Sequence, residues 1–425
     1  MVKEEKKEYE EFEKAYMHAL SRYLNAFWFD EEEEREVLEV LRSKRLEPKI
    51  GFKTKEFEEL LAKYHGVKYA VATSSGTTAL HLALAALGIG PGDEVIVPAI
   101  SSIATANAVI YQNAIPIFAD IDPKTLNMDP SSLAERITPR TKAVIVVHMY
   151  GCPAEMKPIM QVAMDYKLYV IEDCCLAMGA EYYGRKVGTI GDIGVFSFGS
   201  GKQLCTGQGG AAIAKDPEIG ERLKKLNHHY GIPRNGRFIG TADELGFNYK
   251  MSEIVAALGI AQLRKLDKLN SRRIENAKYI TEKLRDLDGK GIKLPYVPPG
   301  VKHVFNEYVV QVEEEKIGLS RDRFWQALLS KGIMADPLFD TPIYLEPLYR
   351  NKIGYGGTKC PFQCPLYKAK GGHVEYRPGL CPVAEEVLKK VVAISPHPGL
   401  DREDLDNIVN TIRSLVEERQ KGWRQ

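Results

Sequence analysis

The stretch that decides the fold is GDIGVFSFGSGKQLCTGQGG, residues 191–210. It predicts a strand over 193–198, then a turn rich in glycine and serine that carries Lys202. A second apolar run over 211–214 follows, so the lysine is expected between two strands. On an open surface such a lysine would only be solvated. Packed beside an anion site and a buried carboxylate, its amine could act as a nucleophile toward carbonyl groups.

Short apolar runs alternate with helical patterns on the N-terminal side of this stretch. Because the apolar runs do not alternate with polar residues, they predict an α/β fold with a mostly parallel sheet covered by helices on both faces. Ligands of such sheets bind at the carboxyl ends of the strands. The predicted strands are 69–73, 94–97, 115–119, 143–147 and 168–172, and the predicted helices between them are 77–87, 103–111 and 155–166.

Three units are expected along the chain. Residues 1–50 predict an N-terminal helical extension with helices over 3–25 and from Asp30 to about Ser43. Residues 51–290 predict a large ligand-binding domain that ends in a long helix over 251–283, broken near Asn270. Residues 291–425 predict a smaller α+β domain. Its stretch 337–382 is rich in proline, glycine and tyrosine without periodicity, and is expected to be an irregular loop that acts as a lid or selects substrate.

The composition excludes several classes of function. The chain has 425 residues, with 58 Lys and Arg against 57 Asp and Glu, so no basic excess points to nucleic acid or an anionic membrane. No run of about 18 apolar residues predicts a membrane span. The charged N-terminus lacks the apolar core of a signal peptide, which predicts a cytoplasmic protein.

Two further motifs complement Lys202. Residues 73–78 (TSSGTT) follow a strand and open a helix, where free N–H groups, hydroxyls and the helix dipole favour an anion, although an ordinary capped helix is equally expected. Residues 170–173 (VIED) end a strand with two carboxylates. Asp173 could cap the next helix, or could pair with a ring nitrogen or a metal. His148 and Tyr150 also end a strand, where His148 could approach a ligand or be a satisfied core histidine.

The order of turn, acid and lysine resembles that of the fold-type I pyridoxal phosphate enzymes. More specifically, the chain resembles the DegT/StrS-type sugar aminotransferases, which include inosose aminotransferases. The resemblance covers about 30–290 densely. It is carried by FWFDEEEEREVLEVLRSKRL (27–46), FEELLAKYHGVKYAVATSSGTTALHLAL (57–84), GDEVIVPAISSIATANAV (92–109), PIFADID (116–122), VVHMYG (146–151), IEDCCLAMGA (171–180), the stretch 191–210 and LGFNYKMSEIVAALG (245–259).

The resemblance implies a fold-type I aminotransferase with pyridoxal 5'-phosphate as cofactor. Lys202 would form the Schiff base and move the proton, and Asp173 would keep the pyridine nitrogen protonated. The phosphate would be held by the turn of Ser75, Gly76 and Thr77 and by the Ser197 hydroxyl. Asn248 would reach the phosphate from the partner subunit of a homodimer with shared active sites.

Three positions depart from the family pattern. Ser102 stands where an aromatic residue usually stacks on the cofactor ring, and Leu176 stands where a glutamine often lies near the cofactor's phenolic oxygen. Lys250 replaces the usual arginine. These three changes affect the expected identities of the amino donor and the amino acceptor more than they affect the expected cofactor. His229 and Tyr230 are candidate substrate residues, because their segment resembles the family's substrate-facing loop, although a polar surface loop is equally expected. Lys250 is a third candidate.

The number and spacing of the cysteines do not predict a required metal ion. Seven cysteines, an odd number, argue against a secreted disulfide framework. A weak metal candidate is the group Cys360, Cys364, His373 and Cys381, whose spacing falls outside the tight pairs usual for zinc. A disulfide among these cysteines is an equal alternative, and free thiols that pack an irregular loop are favoured.

The expected reaction is transfer of an amino group from glutamate or glutamine to a keto-sugar, carried as a sugar nucleotide or sugar phosphate, or to an inosose. One alternative is a pyridoxal phosphate-dependent dehydratase or epimerase of keto-sugars, against which the retained Lys202 argues. Another alternative is a non-catalytic regulatory homologue that binds a ligand. Ser102 and Leu176 are the only residues that favour this alternative. The expected partners are therefore small molecules and a second copy of the chain.

Overall fold

The computed structural model describes residues 13–21, 23, 28–229 and 242–422. The predicted helix over 3–25 lies partly outside these residues, and its described part is helical over 13–21. The helices that follow are α1 Glu31–Ser43, α2 Lys53–His65, α3 Gly76–Ala86, α4 Ile103–Tyr111, α5 Pro130–Glu135, α6 Met156–Tyr166, α7 Pro217–Leu226, α8 Glu253–Leu284, α9 Glu314–Ile317, α10 Arg321–Ser330, α11 Pro347–Arg350, α12 Pro365–Ala369, α13 Pro382–Val387 and α14 Arg402–Gly422. In the described ranges, no helix combines the length and the apolar content needed to cross a membrane.

Three sheets accompany these helices. The strands are β1 Tyr69–Thr73, β2 Glu94–Pro98, β3 Ile115–Ala119, β4 Thr141–Val147, β5 Tyr169–Asp173, β6 Glu181–Tyr182, β7 Arg185–Lys186, β8 Ile193–Ser197, β9 Gly210–Ala214, β10 Ile292–Lys293, β11 Val301–Lys302, β12 Tyr308–Val312, β13 Ala335–Asp336 and β14 Val391–Ile394. Short 3-10 turns lie at Met149–Gly151, Arg285–Leu287, Ile343–Leu345 and Tyr355–Gly357.

The central sheet has seven strands in the order β1-β9-β8-β5-β4-β2-β3. From β8 to β3 the strands are parallel, and β9 is antiparallel to both of its neighbours. Strands β2 and β9 are buried at every position, which explains their unbroken apolar runs. The mostly parallel α/β sheet expected from the sequence is confirmed.

This strand order brings the predicted site motifs to one edge of the sheet. Thr73 at the end of β1 pairs with Gly210, and Gly210 pairs with Ser197 at the end of β8. Asp173 at the end of the neighbouring β5 pairs with Val195 of β8. The turns after β1, β5 and β8 therefore emerge side by side, where open α/β sheets bind ligands.

A second, antiparallel sheet forms in the C-terminal third, with the order β10-β12-β14-β13. Its apolar face packs against α10, α14 and the end of α8 in a hydrophobic cluster separate from that of the central sheet. The domain boundary expected near residue 290 stays a prediction.

The stretch 337–382 contains short helices and packs against the edge of the central sheet. Tyr344, Tyr349 and Tyr376 surround Phe118 of β3 at ring-centroid distances of 5.6, 5.6 and 5.4 Å. The Tyr367 hydroxyl donates to the buried carboxylate of Glu94 in β2 at 2.8 Å. Buried tyrosine rings with hydrogen-bonded hydroxyls therefore anchor this segment to the central sheet. Its secondary structure could not be predicted from local periodicity.

The long helix α8 is continuous, so the predicted break near Asn270 is wrong. Asn270 is buried on α8, and its side-chain amide donates to the carbonyl of Met178 at 2.9 Å. A polar side chain that has a partner of this kind does not interrupt a helix. The asparagine marks a contact between α8 and the turn after β5.

The first turn of α8 also supplies the cap of another helix. Helix α2 begins after Phe52, which offers no capping side chain. The fully buried Glu253 carboxylate accepts hydrogen bonds from the backbone N–H groups of Phe52, Lys53 and Thr54 at 2.7, 2.6 and 3.1 Å. These are donors that a helix leaves unpaired, and a carboxylate there also complements the helix dipole.

We expect Glu253→Ala to lower the free energy of unfolding by about 2–4 kcal/mol, because buried N–H donors lose a charged acceptor. The measurement is the shift in the thermal and urea unfolding midpoints of the purified protein. Glu282→Ala is the matched control, since Glu282 lies exposed on the same helix and faces Lys278 at 3.9 Å. Equal midpoints for the two variants would contradict the capping role.

Candidate active site

The turn between β1 and α3 forms a capped helix N-terminus. The Ser75 hydroxyl accepts from the Thr78 N–H at 3.1 Å, and the Thr78 hydroxyl accepts from the Ser75 N–H at 3.0 Å. This capping box engages Thr78 but not the first two N–H groups of the helix, those of Gly76 and Thr77. The two N–H groups and the positive end of the helix dipole favour an anion beside Thr77, which is half-buried.

Glycine at two positions allows this turn to touch the ends of β8 and β9. A Cβ atom on Gly76 would lie 2.7 Å from Cβ of Ser197 and 3.0 Å from Sγ of Cys175. A Cβ atom on Gly210 would lie 2.4 Å from the carbonyl carbon of Ser75. No side chain fits at such distances, so the contact requires glycine. The structure thereby brings together Ser75, Gly76 and Ser197.

Asp173 ends β5 with its carboxylate almost completely buried, at 4% exposure. One oxygen accepts from the Thr105 hydroxyl at 3.0 Å, and the other accepts from the Cys175 N–H at 3.2 Å. Each oxygen still has a lone pair for a further donor. The carboxylate is therefore held in a fixed orientation and remains able to pair with a protonated ring nitrogen.

The residue before it, Glu172, points to the opposite face and is also fully buried. Its oxygens accept from the N–H groups of Gly188, Ile190 and Gly191 at 2.9, 2.6 and 2.7 Å and from Nε2 of His148 at 3.0 Å. Burial alone would raise the pKa of Glu172, but the hydrogen bond from His148 and the backbone donors hold this pKa below its usual value.

His148 is a satisfied core histidine, the second of the two roles considered for it. Its Nδ1 accepts from the Ala154 N–H at 3.0 Å, so the proton is assigned to Nε2, which donates to Glu172. With Cys174, these two residues form the one compact group of metal-ligating side chains among the described residues. Since both Glu172 oxygens are saturated by donors, the group is structural.

Lys202 lies in a turn over Gly199–Lys202, in which its N–H donates to the Gly199 carbonyl at 3.1 Å. Its charge acts on two neighbouring groups, Cys175 and Glu307. Burial and the Asp173 charge raise the pKa of the Cys175 thiol well above its usual value, and Lys202 opposes this shift. Burial likewise raises the pKa of Glu307 to about 8 against the opposing charge of Lys202. Lys202 therefore shares one region with Asp173 and Gly76.

The segment 248–250 runs along the turn between β1 and α3 of its own chain, which is the candidate phosphate turn. Lys250 and Thr73 form an isolated antiparallel β-bridge, and the Ser74 N–H donates to the Tyr249 carbonyl at 2.8 Å. Asn248 is exposed and accepts a hydrogen bond from the Lys250 amine. Burial and the nearby Lys49 lower the pKa of Lys250. The expected contact of Asn248 with a partner's cofactor stays a prediction.

The candidate substrate residues His229 and Tyr230 are only partly covered by the structure. His229 is exposed. Tyr230 lies outside the described residues.

The two departing positions have local structural roles. Ser102 is exposed and caps α4, with its hydroxyl accepting from the Ala104 N–H at 3.3 Å. Leu176 packs its side chain against the central hydrophobic cluster. A serine in this place leaves the face of a flat ligand without an aromatic neighbour from this position.

Two residues that sequence reasoning missed also shape the site. Thr105 is fully buried and donates to Asp173. Gln203, which follows Lys202, is buried, and its side-chain amide donates to the Leu176 carbonyl at 2.6 Å. It thus ties the lysine turn to the turn after β5. A polar residue on the buried face of a predicted helix was the available signal for Thr105.

The late cysteines do not converge on a metal. Cys381 is buried and donates weakly to the Phe118 carbonyl at 3.8 Å, whereas His373 is exposed and faces Glu375 at 3.3 Å. Cys360 and Cys364 are half-buried free thiols. The disulfide alternative is likewise not realised, because every cysteine of the chain is free.

The fold and this edge of the sheet together define a fold-type I pyridoxal phosphate enzyme. The sequence profile of the DegT/DnrJ/EryC1/StrS aminotransferase family matches residues 28–367, and the chain belongs to this family. It is therefore a pyridoxal phosphate-dependent aminotransferase.

Three relatives illustrate the membership. GDP-perosamine synthase of Caulobacter vibrioides is 42% identical over 294 residues, covering 69% of this chain and 78% of that protein. L-glutamine:2-deoxy-scyllo-inosose aminotransferase of Streptoalloteichus tenebrarius is 37% identical over 393 residues, covering 89% and 90%. The crystal structure of NtdA from Bacillus subtilis with bound cofactor PMP superposes with a TM-score of 0.76 at 29% identity, covering 91% of this chain and 82% of that one.

The residues present fit pyridoxal phosphate. The close approach at Gly76 leaves a cradle of helix N–H groups beside the Ser197 hydroxyl, which suits a phosphate. Asp173 offers a buried carboxylate, and Lys202 offers an amine. The same edge of the sheet thus carries groups of the kinds that would hold the phosphate, pair with the ring nitrogen and react with the aldehyde.

We expect Gly76→Ala to weaken pyridoxal phosphate binding by about 10-fold or more, because the added methyl overlaps Ser197 and pushes the cradle apart. The measurement is titration of cofactor-free protein, followed by fluorescence quenching. Gly90→Ala is the control, since a Cβ atom there meets nothing within 4 Å. Unchanged affinity in Gly76→Ala would remove this turn from the phosphate site.

Proposed function

We propose that the enzyme transfers an amino group from glutamate or glutamine to the ketone of a keto-sugar, linked to a nucleotide or a phosphate, or of an inosose. The observation that carries the site assignment is the contact of Gly76 with Ser197 and Cys175, which joins the phosphate turn to the strand ends of Asp173 and Lys202. The named relatives support the acceptor class. One is a synthase of a GDP-linked sugar, and one aminates an inosose with glutamine.

Each residue of the site would have a distinct role. When bound, pyridoxal phosphate supplies an aldehyde that captures amines and a ring that accepts electrons. The amine of Lys202 holds the cofactor and then moves the proton between the substrate carbon and the cofactor carbon. Asp173, oriented by Thr105, keeps the ring nitrogen protonated. Ser75, Gly76, Thr77 and Ser197 hold the phosphate.

The acceptor end of the site would be formed by two copies of the chain. Asn248 is exposed beside the phosphate turn, where its amide is available to a partner's cofactor. We therefore propose a homodimer with shared sites, with His229, Tyr230 and Lys250 near the substrate. A cytoplasmic location remains the expectation for this biosynthetic enzyme.

Lys202→Ala should abolish the visible absorbance of lysine-linked cofactor and reduce amino transfer by at least about 100-fold, because the proton carrier is lost. Absorbance spectra and product formation from a keto-sugar measure the two effects. Lys142→Ala, an exposed lysine in β4, is the matched control and should behave as the parent. Transfer at the parent rate in Lys202→Ala would refute the role of Lys202.

The donor and the reaction type are tested with isotopic label. The enzyme is incubated with α-15N-glutamate or α-15N-glutamine and either a GDP-linked keto-hexose or 2-deoxy-scyllo-inosose. We expect 15N in the amine of the product, read by mass spectrometry, with one donor preferred. Consumption of the ketone without incorporation of label would favour a dehydratase or epimerase instead.

A further inference from the structure

A cavity of about 190 Å³ opens beside the lysine turn, and its walls come from three parts of the chain. Ser200 and Gly201 of the turn form one side. Glu307 and Asp336, from the C-terminal third, form a second. Tyr23 of the N-terminal helical segment forms the third. The cavity therefore adjoins the turn that carries Lys202, and none of Ser75, Gly76 and Thr77 lines it.

The wall formed by Tyr23 does not belong to the part of the chain that matches the family. The family profile begins at residue 28, whereas Tyr23 precedes it. A Cβ atom on Gly201 would lie 3.2 Å from the Tyr23 hydroxyl oxygen, so the phenol directly covers the lysine turn. The Tyr23 ring meets the His397 ring edge-on, with centroids 5.0 Å apart. This contact fixes the direction of the hydroxyl.

Glu307 belongs to a polar group that is incompletely paired. Asn306 donates to Glu307 at 3.3 Å, while the side-chain oxygen of Asn306 has no hydrogen-bond partner among the described residues. Arg273 is only 5% exposed and interacts electrostatically with both Tyr23 and Glu307, yet its Nη1 also lacks a partner within the described ranges. Neither Arg273 nor Asn306 lines the cavity itself, so their unpaired atoms show only that the polar group around the cavity-lining Glu307 is incompletely satisfied.

The polar groups that line this cavity are suited to the hydroxyl groups of a ligand. Burial raises the pKa of Glu307 to about 8, so near pH 7 its carboxyl group is mostly protonated and can both donate and accept. Burial also raises the pKa of Tyr23, which keeps the phenol protonated. Asp336 lines the same side of the cavity and offers further acceptor oxygens to ligand hydroxyl groups.

We propose that Tyr23 and Glu307 bind ring hydroxyl groups of the amino acceptor, and that the N-terminal helical segment is therefore part of the acceptor site. The inference rests on the proposed role of Lys202. The ligand class is a ketone on a polyhydroxylated ring. The donor amino acid, which has no ring hydroxyl groups, does not use these two residues, so the two half-reactions respond differently to their loss.

The test measures the two half-reactions separately in Tyr23→Phe and Glu307→Gln. Donor conversion of the cofactor is followed by loss of visible absorbance with glutamate or glutamine. Return of that absorbance is followed with 2-deoxy-scyllo-inosose and with a GDP-linked keto-hexose as probes. We expect parent-like donor rates and cofactor spectra, and kcat/KM for the acceptor lower by about 10- to 100-fold.

The matched control is Tyr16→Phe, the same substitution in the same helical segment at a residue that does not line the cavity. It should leave both half-reactions unchanged. Equal acceptor rates in parent and variants would overturn the inference and leave the proposed function intact, and an equal slowing of both half-reactions would show a structural role and overturn it too. A parent that turns over neither probe contradicts the proposed acceptor class, and the inference fails with it.

Discussion

The site depends on one buried carboxylate, that of Glu172. An ionised group without exposure is stable only when donors replace its water, and here three backbone N–H groups and His148 do so. These four donors tie the end of β4 to the loop 188–191 that leads into β8. Because the next residue is Asp173 and β8 ends at Ser197, the same bonds set the distance between the acid and the lysine turn. The network shapes the site without touching a ligand.

The sequence predicts the parts of this arrangement that are local. Unbroken apolar runs follow from strands buried on both faces, and the glycine-rich turn with its lysine follows from a close approach of backbone segments. Strand order and parallel pairing then carry Asp173, Gly76 and Lys202 to one edge. The motifs could thus be placed together before any side-chain contact was known.

Residues that act through distant contacts could not be found in this way. Thr105 and Gln203 support Asp173 and the lysine turn through hydrogen bonds to other elements. The helical pattern marks Thr105 as a polar residue on a buried face, but it does not identify the partner Asp173 on another element. The same limit explains why the helix break predicted near Asn270 is wrong. The side-chain amide of Asn270 donates to the backbone carbonyl of Met178, which lies outside the helix. The same limit explains why the structure of the stretch 337–382 could not be predicted, because tyrosine hydroxyls such as that of Tyr367 form hydrogen bonds with the central sheet.

The two ends of the site differ in how completely their polar groups are paired. At the cofactor end, Glu172 and His148 are saturated, and such a network is rigid because any displacement breaks several hydrogen bonds at once. Around Glu307, which lines the acceptor site that we propose, Arg273 and Asn306 keep buried atoms without partners among the described residues. Buried polar groups in a binding site discriminate strongly between ligands, because a ligand without the matching group leaves them without a hydrogen-bond partner. On the proposed assignment, the saturated network around Glu172 would hold the cofactor end of the site rigid, while Tyr23 and Glu307, which line the cavity beside the lysine turn, would select the acceptor.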